Sequence, residues 1–301
     1  MRILLTGATG QVGGALRGPL SAIGTVLAVD RRALDLSQPE TIAVALDRIR
    51  PDLIVNPAAY TAVDLAEDER DMAFRVNGDA PGAMALWASA RGVPLVHFST
   101  DYLFDGSGDA PWLEESEPAP LSVYGASKLA GEKAIRDAGC RHLIVRTSWV
   151  YASEGRNFLR TIARLAVERT ELRIVSDQLG APTSARMIAD AVGAILQQEL
   201  AGNPFTDRGG PINLTASGVA SWYLFASAIV AGMKQRGATL AVRNVFPIAT
   251  SDYPTKAIRP LNSRLDQCRL LNLFSIQMPS WQEALEVELN TRFWMRSDEA
   301  N

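Results

Sequence analysis

The apolar run Arg2 to Thr6 opens directly into Gly7-Ala8-Thr9-Gly10-Gln11-Val12-Gly13, and a helical pattern follows at once. Three glycines at this spacing between a strand and a helix leave few folds open. The first permits a turn too tight for a Cβ, the second lets a pyrophosphate approach the backbone, and the third lets helix and strand pack closely. The amides at that helix start, with Gln11 and Val12, then bind the anion. A dinucleotide is the predicted ligand. Twenty-three glycines are scattered along the chain, so it is the position after the first strand that gives the triplet its meaning.

Asp30 closes the second predicted strand, about 20 residues past the glycines, where a carboxylate accepts from an adenosine 2′-hydroxyl and favours NADH. Arg31 and Arg32 follow immediately, and a guanidinium there holds a 2′-phosphate and favours NADPH. The sequence leaves both cofactors open. Asp35-Leu36 is placed to cover the adenine.

Apolar runs of four or five residues recur at Thr25 to Val29, Leu53 to Asn56, Leu95 to Ser99, Leu143 to Thr147 and Leu172 to Val175. Strands without polar alternation are buried on both faces, as in a parallel sheet covered by helices. Helical patterns near Gln11 to Ala22, Pro39 to Arg50, Arg70 to Arg91, Ser122 to Ala138, Asn157 to Glu168 and Ser184 to Leu200 provide that cover. The expected fold is α/β: a Rossmann-type, doubly wound parallel sheet over residues 1–150, extended by about 170–198. Residues 151–169 and about 199–301 are expected to form mainly a smaller C-terminal α/β substrate-binding domain interleaved with it. Turns at Ala201-Gly202-Asn203-Pro204 and Asp207-Arg208-Gly209-Gly210-Pro211 mark the change. Phe246 to Asn262, with three prolines and no period, reads as a functional loop at a cleft mouth.

The fourth predicted strand runs into Ser99-Thr100-Asp101-Tyr102, and Tyr124-Gly125-Ala126-Ser127-Lys128 opens the next helix with Tyr124 and Lys128 on one face. Reducing a carbonyl by hydride transfer creates an alkoxide that must receive a proton. A phenol, with an ordinary pKa of about 10, serves at neutral pH only beside an ammonium that stabilises the phenolate. Lys128 supplies that charge and can also donate to nicotinamide ribose hydroxyls, while Thr100 offers a hydroxyl to the carbonyl oxygen and to the tyrosine. Six tyrosines and four lysines in 301 residues give roughly 0.08 such pairs by chance.

Other chemistries have less support. His97 and His142 lie in apolar runs without acids at metal-ligand spacing and read as core or strand-end residues, so no metal site is expected. Glu114-Glu115 and Glu67-Asp68-Glu69 sit in charged, turn-rich surroundings and read as solvated faces, against glycoside hydrolysis. A net charge of -3 offers no basic field for nucleic acid. No stretch approaches 18 apolar residues, and the first apolar run is far short of a signal-peptide core, so a cytoplasmic address away from membranes is expected. Cys140 and Cys268 lie far apart and read as inert packing thiols in a reducing compartment.

Longer segments add to these motifs: Asn56-Pro57-Ala58-Ala59-Tyr60-Thr61-Ala62-Val63-Asp64, Ser99-Thr100-Asp101-Tyr102-Leu103-Phe104-Asp105-Gly106, and Arg146-Thr147-Ser148-Trp149-Val150-Tyr151. Asp177-Gln178-Leu179-Gly180-Ala181-Pro182-Thr183 and Arg259-Pro260-Leu261-Asn262-Ser263 continue them into the C-terminal half. With these the chain resembles, nearly end to end, the extended short-chain dehydrogenase/reductases and, within them, the dTDP-4-dehydrorhamnose reductase family. The resemblance implies reduction of the 4-keto group of dTDP-4-dehydro-6-deoxy-L-mannose (dTDP-6-deoxy-L-lyxo-4-hexulose) by NADPH or NADH, giving dTDP-L-rhamnose. It makes Tyr124 the proton donor, Lys128 its activator and ribose ligand, and Thr100 the tuning hydroxyl. Ala59, Tyr60 and Thr61 would line the cofactor, and Thr100, Asp101 and Trp149 would meet the sugar. An indole face is a good flat wall for a deoxyhexose. Arg259 is a fitting clamp for the nucleotide pyrophosphate, because its fork of donors matches phosphate oxygens.

Some members of that family bind magnesium at a dimer contact through glutamates on the first helix and after the Gly-Ala-Pro-Thr segment, where this chain has Ala15 and Arg186. An arginine repels a divalent cation, so no magnesium at that place and a monomer or weak homodimer are expected. Alternatives share the scaffold. A dehydratase uses a Thr-Asp-Glu triplet, and Tyr102 replaces the glutamate. Another nucleotide-sugar 4-reductase or an epimerase needs no further group. A non-catalytic NADP-binding regulatory subunit would not require Thr100, Tyr124 and Lys128 to be intact.

Overall fold

Strands that are apolar at every position need cover on both sides, and the chain supplies it by alternating strand with helix. The computed structural model describes residues 1–202 and 204–295; Asn203, in the predicted Ala201–Pro204 turn, lies outside them. In chain order the main elements begin with β1 (Arg2–Leu5), α1 (Gln11–Ser21), β2 (Thr25–Ala28), α2 (Pro39–Ile49), β3 (Leu53–Asn56), α3 (Arg70–Phe74), α4 (Ala80–Arg91), β4 (Leu95–Thr100) and α5 (Val123–Asp137). They continue with β5 (His142–Thr147), α6 (Phe158–Glu168), β6 (Glu171–Val175), α7 (Ala185–Glu199), β7 (Gly210–Asn213), α8 (Trp222–Gln235), β8 (Asn244–Ile248) and α9 (Trp281–Asn290).

Six strands form one sheet in the order β7-β5-β4-β3-β1-β2, with every neighbour parallel. From β1 the chain steps outward to β2 and then returns to β3 on the other side of β1. The strand order therefore reverses between β1 and β3, and a crevice opens beyond their carboxyl ends. Successive side chains point to opposite faces. Ile3 and Leu5 join Leu16, Leu20, Ile188 and Val192 of α1 and α7, whereas Leu4 joins Ile42, Leu46, Met84 and Ile135 of α2, α4 and α5. Each such side chain, fully buried, contributes about 1.5–3 kcal/mol to stability.

Three expectations need correction. Leu172–Val175 does not extend this sheet; as part of β6 it pairs in parallel with β8 in a separate two-stranded sheet. The sixth strand of the main sheet is β7, drawn from the segment predicted as turns. A short apolar run specifies burial but not its partner. β7 is instead pinned by Asn213, whose N donates to Glu114 Oε1 at 2.8 Å and whose Nδ2 donates to Trp112 O at 2.8 Å. Pro211 is tolerated because β7 is an edge strand. The Phe246–Asn262 stretch is likewise not all loop, since Phe246 to Ile248 belongs to β8 and Thr250–Asp252 forms a 3₁₀ turn.

The predicted helix Arg70–Arg91 forms, but with a π-turn at Arg75–Asp79 between α3 and α4. Pro81 has no N–H to offer the carbonyl of Asn77, so regular α-bonding is interrupted there. Cys140 is buried as expected, whereas Cys268 is exposed rather than packed. Among the described residues no helix is long and apolar enough to cross a membrane.

Candidate active site

The crevice between β1 and β3 is a cleft of about 1160 Å³. One end is built by the glycine turn. Gly7 takes φ +54°, and Gly10 N donates to Gly7 O at 2.9 Å. A Cβ on Gly13 would stand 2.0 Å from Gly7 O, so the first turn of α1 can approach the end of β1 only with glycine there. No acidic residue lies in the first turn of α1 and no side chain caps it. The amides, with Gln11 and Val12, remain open to an anion.

At the β2 end, Asp30, Arg31, Asp35 and Leu36 all line the cleft. Asp30 Oδ1 is already engaged, accepting from Arg32 N at 3.0 Å and Ala33 N at 3.1 Å. Asp35 turns back onto Ser37, whose amide and hydroxyl hold its carboxyl below the usual range. Arg17, Arg31 and Arg32 share this end, and among the described residues none has a carboxylate at ion-pair distance.

Across the cleft, Ala59, Tyr60 and Thr61 follow β3 and line it. The π-turn fixes this loop. Asn77 Oδ1 accepts from Tyr60 N at 2.8 Å, and Asn77 Nδ2 donates to Tyr60 O and to Ser127 Oγ, each at 3.0 Å. Ser127 Oγ in turn donates to Tyr124 O at 2.7 Å. One widened helical turn therefore ties the loop to α5, and such π-turns recur at functional sites. Asn77 had no motif in the sequence to announce it.

The N-cap Ser122, accepting from Gly125 N, starts α5 so that Tyr124 falls in its first turn and Lys128 one turn later; both line the cleft. Burial pushes the Tyr124 phenol well above its ordinary pKa, the Thr100 hydroxyl bonded to it pulls down, and Asp101 and Tyr102 push up. Thr100 Oγ1 also donates to Asp101 Oδ1 at 3.1 Å. Asp101 is fully buried, and desolvation pushes its carboxyl up to about 6 against the pull of the Ser263 and Thr100 hydroxyls. Burial pushes Lys128 down to about 8, with Glu132 opposing. Its Nζ donates to Phe98 O at 2.5 Å and lies 3.1 Å from His97 Nε2, so its contacts run to β4 rather than to the phenol.

The residues expected to meet the sugar are gathered less tightly. Thr100 and Asp101 sit behind Tyr124. Trp149, with φ +49°, lies outside the cleft lining, its indole stacked on Trp222 with centroids 3.6 Å apart and planes within 10°. Arg259 Nη2 donates to Asp64 Oδ2 at 2.6 Å and Nη1 to the Tyr102 hydroxyl at 3.3 Å, so part of its fork is already engaged. Sequence reasoning missed Arg17, Ser99, Thr147 and Arg156 in the cleft wall. Gln11 Oε1, Ser99 Oγ and Thr147 Oγ1 are buried there without a hydrogen-bond partner. Buried polar atoms are ordinarily satisfied, and the hydroxyls, phosphates and carboxamide of a nicotinamide dinucleotide fit this lining.

Comparison with known proteins agrees. The family description "RmlD substrate binding domain" matches residues 1–292. The dTDP-4-dehydrorhamnose reductase of Escherichia coli K12 is 44% identical over 297 residues, 97% of this chain and 98% of that one. The protein of the same name from Burkholderia thailandensis is 46% identical over 290 residues, 95% and 97% of the two chains. The crystal structure of dTDP-4-dehydrorhamnose reductase from Bacillus anthracis in complex with NADP superimposes with a TM-score of 0.85 at 34% identity, over 96% of this chain and 99% of that one.

Proposed function

Because the chain belongs to the RmlD substrate binding domain family, we propose that it reduces the 4-keto group of dTDP-4-dehydro-6-deoxy-L-mannose to dTDP-L-rhamnose, using NADPH or NADH. The observation that carries this reading is the half-buried Tyr124, whose phenol is held above its ordinary pKa and so stays protonated at neutral pH, in the same cleft as the glycine turn. When bound, the reduced nicotinamide supplies a hydride. Gly7, Gly10 and Gly13 with the α1 amides hold its pyrophosphate, and Ala59, Tyr60 and Thr61 cover the opposite side.

The oxygen of the reduced carbonyl takes its proton from Tyr124 Oη. Thr100 then turns its hydrogen from Asp101 Oδ1 to the phenolate, which keeps the new charge hydrogen-bonded. Lys128 adds a positive charge one helical turn away. With two directions committed to His97 and Phe98 O, its ammonium has one hydrogen left for a ribose hydroxyl. Trp149 and Arg259 would approach the sugar and the nucleotide pyrophosphate from residues outside the cleft floor.

NADPH is the favoured cofactor, because Asp30 Oδ1 is engaged by loop amides while Arg17, Arg31 and Arg32 lack acidic partners. The cofactor is assigned mainly to residues 1–150, and the sugar nucleotide mainly to 151–169 and about 199–301 apart from β7, which completes the main sheet. A monomer or weak homodimer is the expected state, Arg186 being paired with Glu288 at 3.3 Å. The test is to mix the protein with the ketosugar nucleotide and NADPH or NADH and follow nicotinamide absorbance. Loss of absorbance with formation of the 6-deoxyhexose product supports the proposal. No loss with fresh ketosugar favours a non-catalytic binding subunit.

A further inference from the structure

His97 is a buried titratable group that this reaction leaves without a task. It has no exposed surface, and both ring nitrogens are engaged. Nδ1 lies 3.1 Å from the Asn56 amide, its register partner on β3, and Nε2 lies 3.1 Å from Lys128 Nζ. Asn56 Oδ1 accepts from Thr6 Oγ1 at 2.6 Å, and Thr6 immediately precedes Gly7. A row of four polar side chains therefore runs from the lysine across β4, β3 and the end of β1 to the phosphate-binding turn. It is fully or almost fully buried throughout, in a sheet interior that is otherwise largely apolar.

A neutral imidazole has one donor and one acceptor, which gives the row a direction. If the Asn56 amide nitrogen donates to Nδ1, the ring proton sits on Nε2 and faces the lone pair of an uncharged amine. If Lys128 is an ammonium, it donates to Nε2, the ring proton moves to Nδ1, and Asn56 must present its oxygen. We infer that His97 is a positioning residue acting through Lys128: it pins the ε-amino group against β4, and the nitrogen that carries its proton sets whether that group is charged. Asn56 and Thr6 extend this control to the wall of the cofactor site. The inference rests on the reading of Tyr124 and Lys128 as the reacting pair.

The electrostatics agree with the geometry. Burial and the neighbouring ammonium hold His97 well below its ordinary pKa, so the ring stays neutral while Lys128, pushed down to about 8 by burial, changes charge near working pH. Among the described titratable groups, Glu132 on the same helix favours the ammonium. His97 reaches it from β4, and Tyr124 lies one turn back.

The chain has only two histidines, so nitrogen-15 histidine spectra of the intact protein resolve both rings. His142, whose Nδ1 bonds Cys140 O at 2.7 Å, serves as the internal reference. The His97 ring should remain neutral while its two nitrogens change character with a midpoint near pH 8, and Lys128→Met should abolish that step. Nitrogen shifts that stay constant from pH 6.5 to 9.5 overturn the inference. In kinetics, His97→Phe removes the acceptor and should move the alkaline limb of kcat down by about one pH unit, about fivefold in rate at the native midpoint. His97→Gln, whose amide oxygen can accept from the ammonium, should restore most of it. An unmoved limb in a folded His97→Phe variant would sink the idea. The spectra need no substrate, so their outcome stands apart from whether the ketosugar is reduced.

Discussion

The rings of Tyr102 and Tyr124 meet edge to face, with centroids 5.4 Å apart and planes at 80°. Behind Tyr102 stands Arg259, which in turn is anchored by Asp64. The side of the Tyr124 ring is thus supported by a guanidinium from the C-terminal half and a carboxylate from the short helix Val63–Ala66 that follows β3.

Arg259→Ala should leave Asp64 unpaired and Tyr102 unsupported. Steady-state kinetics should show KM for the sugar nucleotide raised about tenfold or more, in keeping with loss of a charge-assisted contact. Arg259→Lys should rescue poorly, because an ammonium cannot span both partners as the fork does. A native KM in Arg259→Ala would refute this.

Tyr124→Phe should lower turnover by about 10² to 10⁴ while NADPH binding, followed by fluorescence titration, stays near native. Parallel loss of cofactor binding would mean the ring is structural.

Arg31→Ala combined with Arg32→Ala should reduce kcat/KM with NADPH by about 10- to 100-fold and spare NADH, since the lost contacts would be to a phosphate. Equal losses with both cofactors would place these arginines elsewhere in the cycle.

Gly13→Ala must displace either the first turn of α1 or the end of β1, given a Cβ 2.0 Å from Gly7 O. A destabilisation of about 1–3 kcal/mol or more, read by thermal unfolding, should accompany loss of NADPH binding.

The Asp101 carboxyl is pushed up to about 6 by burial, from an ordinary value of 3.8. Its neutral form is the one the fold prefers, so the associated stability is complete below pH 3.8 and is lost as pH rises through 6. Above pH 7 ionisation costs about 3 kcal/mol, which Asp101→Asn removes. The thermal midpoint of Asp101→Asn relative to native should therefore rise between pH 4 and pH 8; a flat difference would contradict the assignment.

The glycine turn, the first five strands and the Tyr124/Lys128 pair were legible because each rests on short-range spacing: a turn, a buried run, one helical turn. All fourteen residues expected to line the cofactor do line the cleft. What escaped was non-local. Leu172–Val175 announces burial but cannot say that Asn244–Ile248, some 70 residues on, will be its partner. Gly210 and Pro211 read as turn formers, and only the contacts of Asn213 with Glu114 and Trp112 make a strand of that segment. His97 looked like a core histidine, and it is buried as expected. Its engagement with Lys128 and Asn56 depends on the lateral register of β4 beside β3, which no window of sequence contains.

The order of the sheet also constrains birth on the ribosome. β5 is complete at Thr147, but the strand that closes its flank starts at Gly210, about 60 residues later. At roughly 5–20 residues per second, a nascent chain spends several seconds with unpaired backbone along β5, a template for intermolecular pairing. Chaperone shielding during that interval, more than the stability of the finished enzyme, would then govern how much of it a cell recovers.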